Sequence, residues 1–98
     1  MNVSTPNADQ IKQIRQIART IARKYSTRIS VRKGKGTMSR YALIQGWDNK
    51  SVNARIELGR AMMAAGFVGV CGQSIPEYID LAERYSHASF DLCLMAKA

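Results

Sequence analysis

Ninety-eight residues, 46% hydrophobic and 22% charged, make a single globular domain with a modest core and exclude a disordered or fibrous chain. The formal net charge is +8, and the excess lies in the first half: residues 1–50 hold eleven Lys/Arg against Asp9 and Asp48, while residues 51–98 hold four against five acids. That asymmetry points to an anionic partner for the first half.

Residues 1–5 read as a polar lead-in that frays. Thr5-Pro6 then marks a helix start, with Thr5 as N-cap, Pro6 in the first turn and Asp9 favoured by the helix dipole. From there to about Tyr25, Ile11, Ile14, Ile17, Ala18, Ile21, Ala22 and Tyr25 recur at three- and four-residue steps, which puts them on one helical arc. Lys12, Arg15, Arg19 and Arg23 fall on a separate arc and repel one another slightly. An all-Ile/Ala face without Trp or Phe suits a protein core better than a membrane surface.

Ser26-Thr27 breaks the helix. Ile29 and Val31 alternate with Ser30 and Arg32, a strand with one buried face. Gly34-Lys35-Gly36 supplies a turn, and Thr37 to about Trp47 reads as the return strand of a basic hairpin. Asp48-Asn49-Lys50-Ser51 is a turn and cap region. Val52 to Ala65 forms a second helix with Val52, Ile56, Gly59, Met62 and Met63 near one face, stopped at Gly66. The Met62-Met63 pair is either core or a dimer seam, and the sequence assigns no oligomeric state. Phe67 to Val70 is a short strand or extended link. Ser74-Ile75-Pro76-Glu77 opens a third helix by a capping box. Phe90, Leu92 and Leu94 alternate with Asp91 and Cys93, so the tail reads as a last strand joining the hairpin, with a continued helix as the alternative.

The residues that carry chemistry are the cations. Lys12, Arg15, Arg19, Arg23, Arg28, Arg32, Lys33, Lys35 and Arg40 are the candidate contacts to nucleic acid or another anionic partner, with Lys24 beside them. Arginine forks pair bidentately with phosphate or carboxylate, and phosphate contacts release counterions. Tyr41 and Trp47 are candidate aromatic anchors. The glycine pair lacks the spacing of a phosphate loop. Cys71, Cys93 and the single His87 are not spaced as metal ligands. Cys71 and His87 have no recognisable catalytic context, so no catalytic residue, metal or cofactor is assigned, and an enzyme has the least support.

The segment Ile11–Asp48, with its basic helix, the strand Ile29-Ser30-Val31-Arg32, a glycine-containing turn and a second strand ending near Trp47, resembles a small accessory domain of large polyvalent proteins from phages and conjugative elements. The resemblance implies a mobile-element protein in a bacterial cell, of the kind that includes anti-restriction and anti-CRISPR inhibitors acting without catalysis. Met1 is followed by polar residues and no apolar run approaches a membrane span, so the expectation is a protein of the bacterial host cytoplasm, without a membrane partner, with both thiols reduced.

The expected fold is α+β: an N-terminal basic helix, a β-hairpin, two further helices and a C-terminal strand, the helices on one face of a small antiparallel sheet. The expected function is non-enzymatic binding of nucleic acid through the basic helix and the Gly-Lys-Gly hairpin. The alternative is an anti-defence inhibitor that docks on an acidic surface of a host protein or nucleoprotein complex.

Overall fold

The computed structural model describes residues 2–46, 52–85 and 89–97. Among them the chain runs β1 (Val3–Ser4), α1 (Ala8–Lys24), β2 (Ser30–Lys33), β3 (Ala42–Gln45), α2 (Val52–Ala64), β4 (Phe67–Gly69), α3 (Ile75–Arg84) and β5 (Leu92–Lys97). This is the expected α+β domain with an antiparallel sheet. The Asp48–Ser51 cap region, Trp47 and His87 lie outside the described residues.

The tail strand β5 is the centre of the sheet. Leu94 faces Ala42 of β3 on one side and Gly69 of β4 on the other, and Ala96 faces both Ser4 of β1 and Phe67 of β4. β3 and β1 therefore lie end to end along one edge of β5, with β4 along the other. β2 pairs only with β3, from Ser30↔Gln45 to Lys33↔Ala42, and forms the outer edge on that side. The expected frayed lead-in is in part this short strand β1: the Val3 and Ser4 backbone is held by β5, although both side chains are exposed.

Alternation along the strands sorts the two faces. Ala42, Ile44, Leu92, Leu94, Ala96 and Phe67 point inward and pack with Ile11, Ile14, Ala18 and Ile21 of α1, Ala54, Leu58 and Met62 of α2, and Ile75 and Tyr78 of α3. All three helices thus cover one face. Leu43, Cys93 and Met95 lie on the other, outside that cluster.

Four local expectations are corrected. The N-cap of α1 is Asn7: its side chain accepts from the Gln10 amide at 2.8 Å while Gln10 accepts from the Asn7 amide at 2.8 Å. Thr5 has Ala8 three residues on and so cannot form such a reciprocal box. The hairpin is not closed by Gly34-Lys35-Gly36 alone. Gly34 donates to the Tyr41 carbonyl at 2.9 Å, and a 3₁₀ turn at Gly36–Met38 fills the loop between. Gly36 there has φ +60°, and a Cβ on Gly34 would collide with the Met38 carbonyl. The return strand is correspondingly short, Ala42–Gln45 instead of Thr37–Trp47.

The third correction concerns α2, whose buried line is Ala54, Arg55, Leu58, Gly59 and Met62, with Val52 and Ile56 only half-buried. This helix packs against both α1 and α3, so one apolar stripe does not describe it. Gly59 permits the close approach of α3: an added Cβ would stand 2.8 Å from Ile79 Cγ1. Arg55 is 0% exposed. Its guanidinium donates to the Tyr85 carbonyl at 3.3 Å and lies 6.0 Å from the Phe90 ring centre. The fourth correction separates Met62 from Met63. Met62 is core, at 0% exposed, and Met63 is 39% exposed. Replacing Met62 by Ala should cost about 2–5 kcal/mol of unfolding free energy. The same change at Met63 should stay within about 0.5 kcal/mol. Chemical denaturation of the two variants checks both.

Candidate nucleic-acid interface

The apolar stripe of α1 fixes where its cations go. With Ile11, Ile14, Ala18 and Ile21 buried, the helix presents Lys12, Arg15, Arg19 and Arg23 to solvent. The flank of α1 facing β2 and the flank facing α2 differ in charge. On the β2 side an open groove of about 470 Å³ is lined by Arg15, Arg19, Ala22, Arg28, Ile29, Ser30 and Val31. On the α2 side the lining among the described residues is Gln13, Gln16, Ile17, Thr20, Ile21, Glu57 and Ala61, with an acid and no cation.

Arg15 is the hub of the basic side. It also lines a hollow with Lys33 and the N-terminus of α1, and another with Lys12, Gln16 and Arg19. Its Nε donates to the Val31 carbonyl in a long bond of 3.5 Å. That carbonyl points away from β3, because the Gly34–Tyr41 bond sets the ladder so that Arg32 and Ser30 are the hydrogen-bonded pairs of β3. Five cations, Lys12, Arg15, Arg19, Arg28 and Lys33, therefore surround three adjoining hollows, and among the described residues no acid lines any of them.

The remaining candidates divide. Arg32 alternates to the opposite face of the sheet from Val31, where its Nε donates to Gln45 Oε1 at 3.0 Å. Lys35 and Arg40 are exposed on the hairpin loop and Arg23 on the last turn of α1, and none lines the groove. The hairpin tip is thus not a single basic probe: Lys33 turns toward α1 and Arg32 away from it. Lys24 is drawn to the α2 side, where its Nζ meets Glu57 Oε1 at 2.8 Å. The Tyr25 hydroxyl donates to the same oxygen at 3.1 Å. Tyr41 is half-buried, and Trp47 falls outside the described residues.

The acids of the second half leave the basic groove open. Asp80 pairs with Arg84 at 3.1 Å, Glu77 is committed to the Ser74 cap, and Asp91 accepts from the Gly46 amide at 3.4 Å. Among the described residues no cluster of His, Cys, Asp and Glu is arranged to hold a metal, and no helix is long and apolar enough to cross a membrane. Cys71 is exposed and Cys93 half-buried, and the fold brings these sequence-distant residues near one another, with Cys93 on the helix-free side of the sheet. Spacing alone carries no sign of that meeting, since it depends on β4 pairing with β5. Comparison with protein families, with curated proteins and with solved structures gives no match.

What the arrangement can do chemically follows from its donors. Three guanidinium groups around a groove floored by Ala22, Ile29 and Val31 offer planar forks to phosphate or carboxylate oxygens, and among the described residues no aromatic ring joins the lining. The Lys24–Glu57 pair bounds the site on its other side. The Lys24 hydrogen bond, aided by Tyr25 and opposed by desolvation, holds the Glu57 carboxyl below the usual carboxylate range, and the bond to Glu57 raises the Lys24 ammonium. A depressed carboxyl contributes stability above its unfolded pKa and loses it as pH falls through the folded value. A Glu57→Gln variant should therefore lose less stability than the native chain between about pH 5 and pH 3, where free carboxyl groups titrate. Near neutral pH the two should differ little, because the pair is solvent-exposed. Thermal midpoints measured across that range check the difference.

Proposed function

We propose that this chain is a non-enzymatic binding protein that holds the sugar–phosphate backbone of a nucleic acid along the α1–β2 groove. The observation that carries the reading is the groove itself: Arg15, Arg19 and Arg28 line one surface with Lys12 and Lys33 adjoining, and no acid among the described residues interrupts it. Arg15 and Arg19 lie one helical turn apart, so their heads follow one another along α1 at a spacing of about 6 Å. A row of that kind grips a charged strand at successive points. The guanidinium forks bind phosphate oxygens, and the apolar floor accommodates the less polar sugar edge. With backbone contacts dominating, affinity falls steeply with salt and depends little on base sequence.

A second reading is supported by the outer edge of β2, whose Val31 carbonyl faces the same groove. An acidic segment of a host protein could add to that edge as a strand while its carboxylates meet the arginines. In that reading the protein is a mobile-element inhibitor of host defence, as the resemblance of Ile11–Asp48 suggests, and it works by occupying a nucleoprotein's own binding path.

The test is a fluorescence-anisotropy titration with labelled DNA and RNA across salt concentrations. The native chain should bind at low salt. The Arg15→Gln, Arg19→Gln, Arg28→Gln triple variant should bind at least tenfold more weakly, with the salt slope reduced by about 0.9 for each phosphate that is no longer neutralised. A charge-matched control, Arg60→Gln, Arg84→Gln, Lys97→Gln, takes three exposed cations from outside the groove and should keep most of the affinity. Equal weakening in both variants, or no binding to either nucleic acid at low salt, rejects the reading.

A further inference from the structure

The two cysteines, unrelated by sequence spacing, come near one another, with Cys93 on the face of the sheet that the helices leave bare. The β4–β5 ladder passes through Gly69↔Leu94 and continues one step further, with the Val70 amide donating to the Cys93 carbonyl at 3.0 Å. Val70 therefore stands opposite Cys93, and Cys71 is the next residue. A continued strand would send the Cys71 side chain to the far face. Instead Cys71 takes φ +61°, a left-handed conformation unusual for a residue with a Cβ, and Gly72 follows at φ +85°. The chain turns there, and Cys71 is near enough to Cys93 to act on its thiol.

The geometry of neighbouring strands makes a bridge attainable. Facing Cα atoms of an antiparallel pair lie about 4.5–5.5 Å apart, and a disulfide spans about 4.4–6.8 Å. A cysteine one position past the facing residue comes within reach when its side chain turns toward the partner. Cys71 is exposed and Cys93 half-buried, which separates their roles. Desolvation first, and then the Cys71 neighbour, push the Cys93 thiol up to about 11, so at neutral pH it is held protonated.

We propose that Cys71 and Cys93 are a reversible dithiol–disulfide pair, oxidised by a small soluble disulfide. The exposed Cys71, as thiolate, attacks one sulfur of the small disulfide; a Cys71–S bond forms, the S–S bond of the reagent breaks, and one small thiolate leaves. Cys93 then gives its proton to water and attacks the Cys71 sulfur. The Cys71–Cys93 bond forms and the second small thiolate departs. The protein loses two electrons and two protons, and the small disulfide becomes two thiols. The bridge fastens the turn that leads from β4 to the Ser74 cap of α3 onto the central strand. In the reduced protein that link is the Val70–Cys93 backbone bond.

The experiment is incubation of the full native chain with glutathione disulfide near pH 8, followed by intact mass analysis without reductant. The expected product is lighter than the starting protein by about 2 Da, the two hydrogens removed, and dithiothreitol restores the original mass. Its thermal midpoint should rise, by on the order of 10 °C, as a closed loop constrains the unfolded chain. Cys93→Ser should instead stop at a single stable glutathione adduct on Cys71, and Cys71→Ser should react far more slowly than Cys93→Ser. Circular dichroism of each variant establishes that it is folded. If the folded native chain accumulates stable adducts on one or both cysteines without the bridged species, or stays unreacted, the proposal is overturned.

Discussion

The ladder on both sides of β5 is the constraint on which the rest of the molecule depends. A central strand has no free edge, so its alternation fixes the facing of every strand hydrogen-bonded to it. Leu92, Leu94 and Ala96 point to the helices, and their registers with β3, β1 and β4 bring Ala42, Ile44 and Phe67 to the same side. A slip of one residue would exchange that set for Cys93, Met95 and Lys97. The C-terminal strand thus holds β1, β3 and β4 together.

From that ladder follows the position of the basic groove. β3 takes one edge of β5, β2 takes the outer edge of β3, and α1 lies over the same side of the sheet. The cation row on α1 opposes helix formation, but only weakly. Like charges one turn apart cost about 0.2–0.5 kcal/mol per pair. Burying one isoleucine contributes about 1.5–3 kcal/mol, and Ile11, Ile14 and Ile21 are all buried. Packing therefore decides the orientation of α1 with a wide margin, and the arginines stand where the isoleucines leave them. Of the three groove arginines, Arg15 has one long hydrogen bond to the Val31 carbonyl of β2.

Local signals are readable in the chain and distant pairings are not. The periodicity from Ile11 to Tyr25 and the Ser74–Glu77 box depend on residues three or four apart, and both elements stand where that spacing puts them. The α2 face escapes such a reading because Arg55 counts as polar in any pattern, yet the fold buries it against Tyr85 and Phe90, thirty positions and more along the chain. The hairpin loop escapes it because two glycines suggest a tight turn, whereas Gly34 and Gly36 serve a longer loop closed by Tyr41. Within the site, the shared helix face of Arg15 and Arg19 follows from their four-residue spacing, whereas Arg28 joins them from the link between α1 and β2, where no periodicity announces it. Arg32 and Lys33 divide because adjacent residues of a strand point to opposite faces, a fact present in the sequence once β2 is placed.

That division sets the size of the proposed binding surface. At physiological ionic strength charges interact over about 8 Å before salt screens them. Cations therefore act together only when they share a surface, whatever their total. Arg55 is buried, Lys24 is paired with Glu57, Arg32 is bonded to Gln45 on the bare face, and Lys35 and Arg40 stand out on the loop. What acts as one field is the set around Arg15: Lys12, Arg19, Arg28 and Lys33. A strand of phosphates that meets this set touches α1 and β2 at once, so its grip depends on the packing between them, and that packing depends on the Ile stripe and on β5. The proposed binding would in this way be coupled to folding through a single layer of apolar side chains beneath the groove.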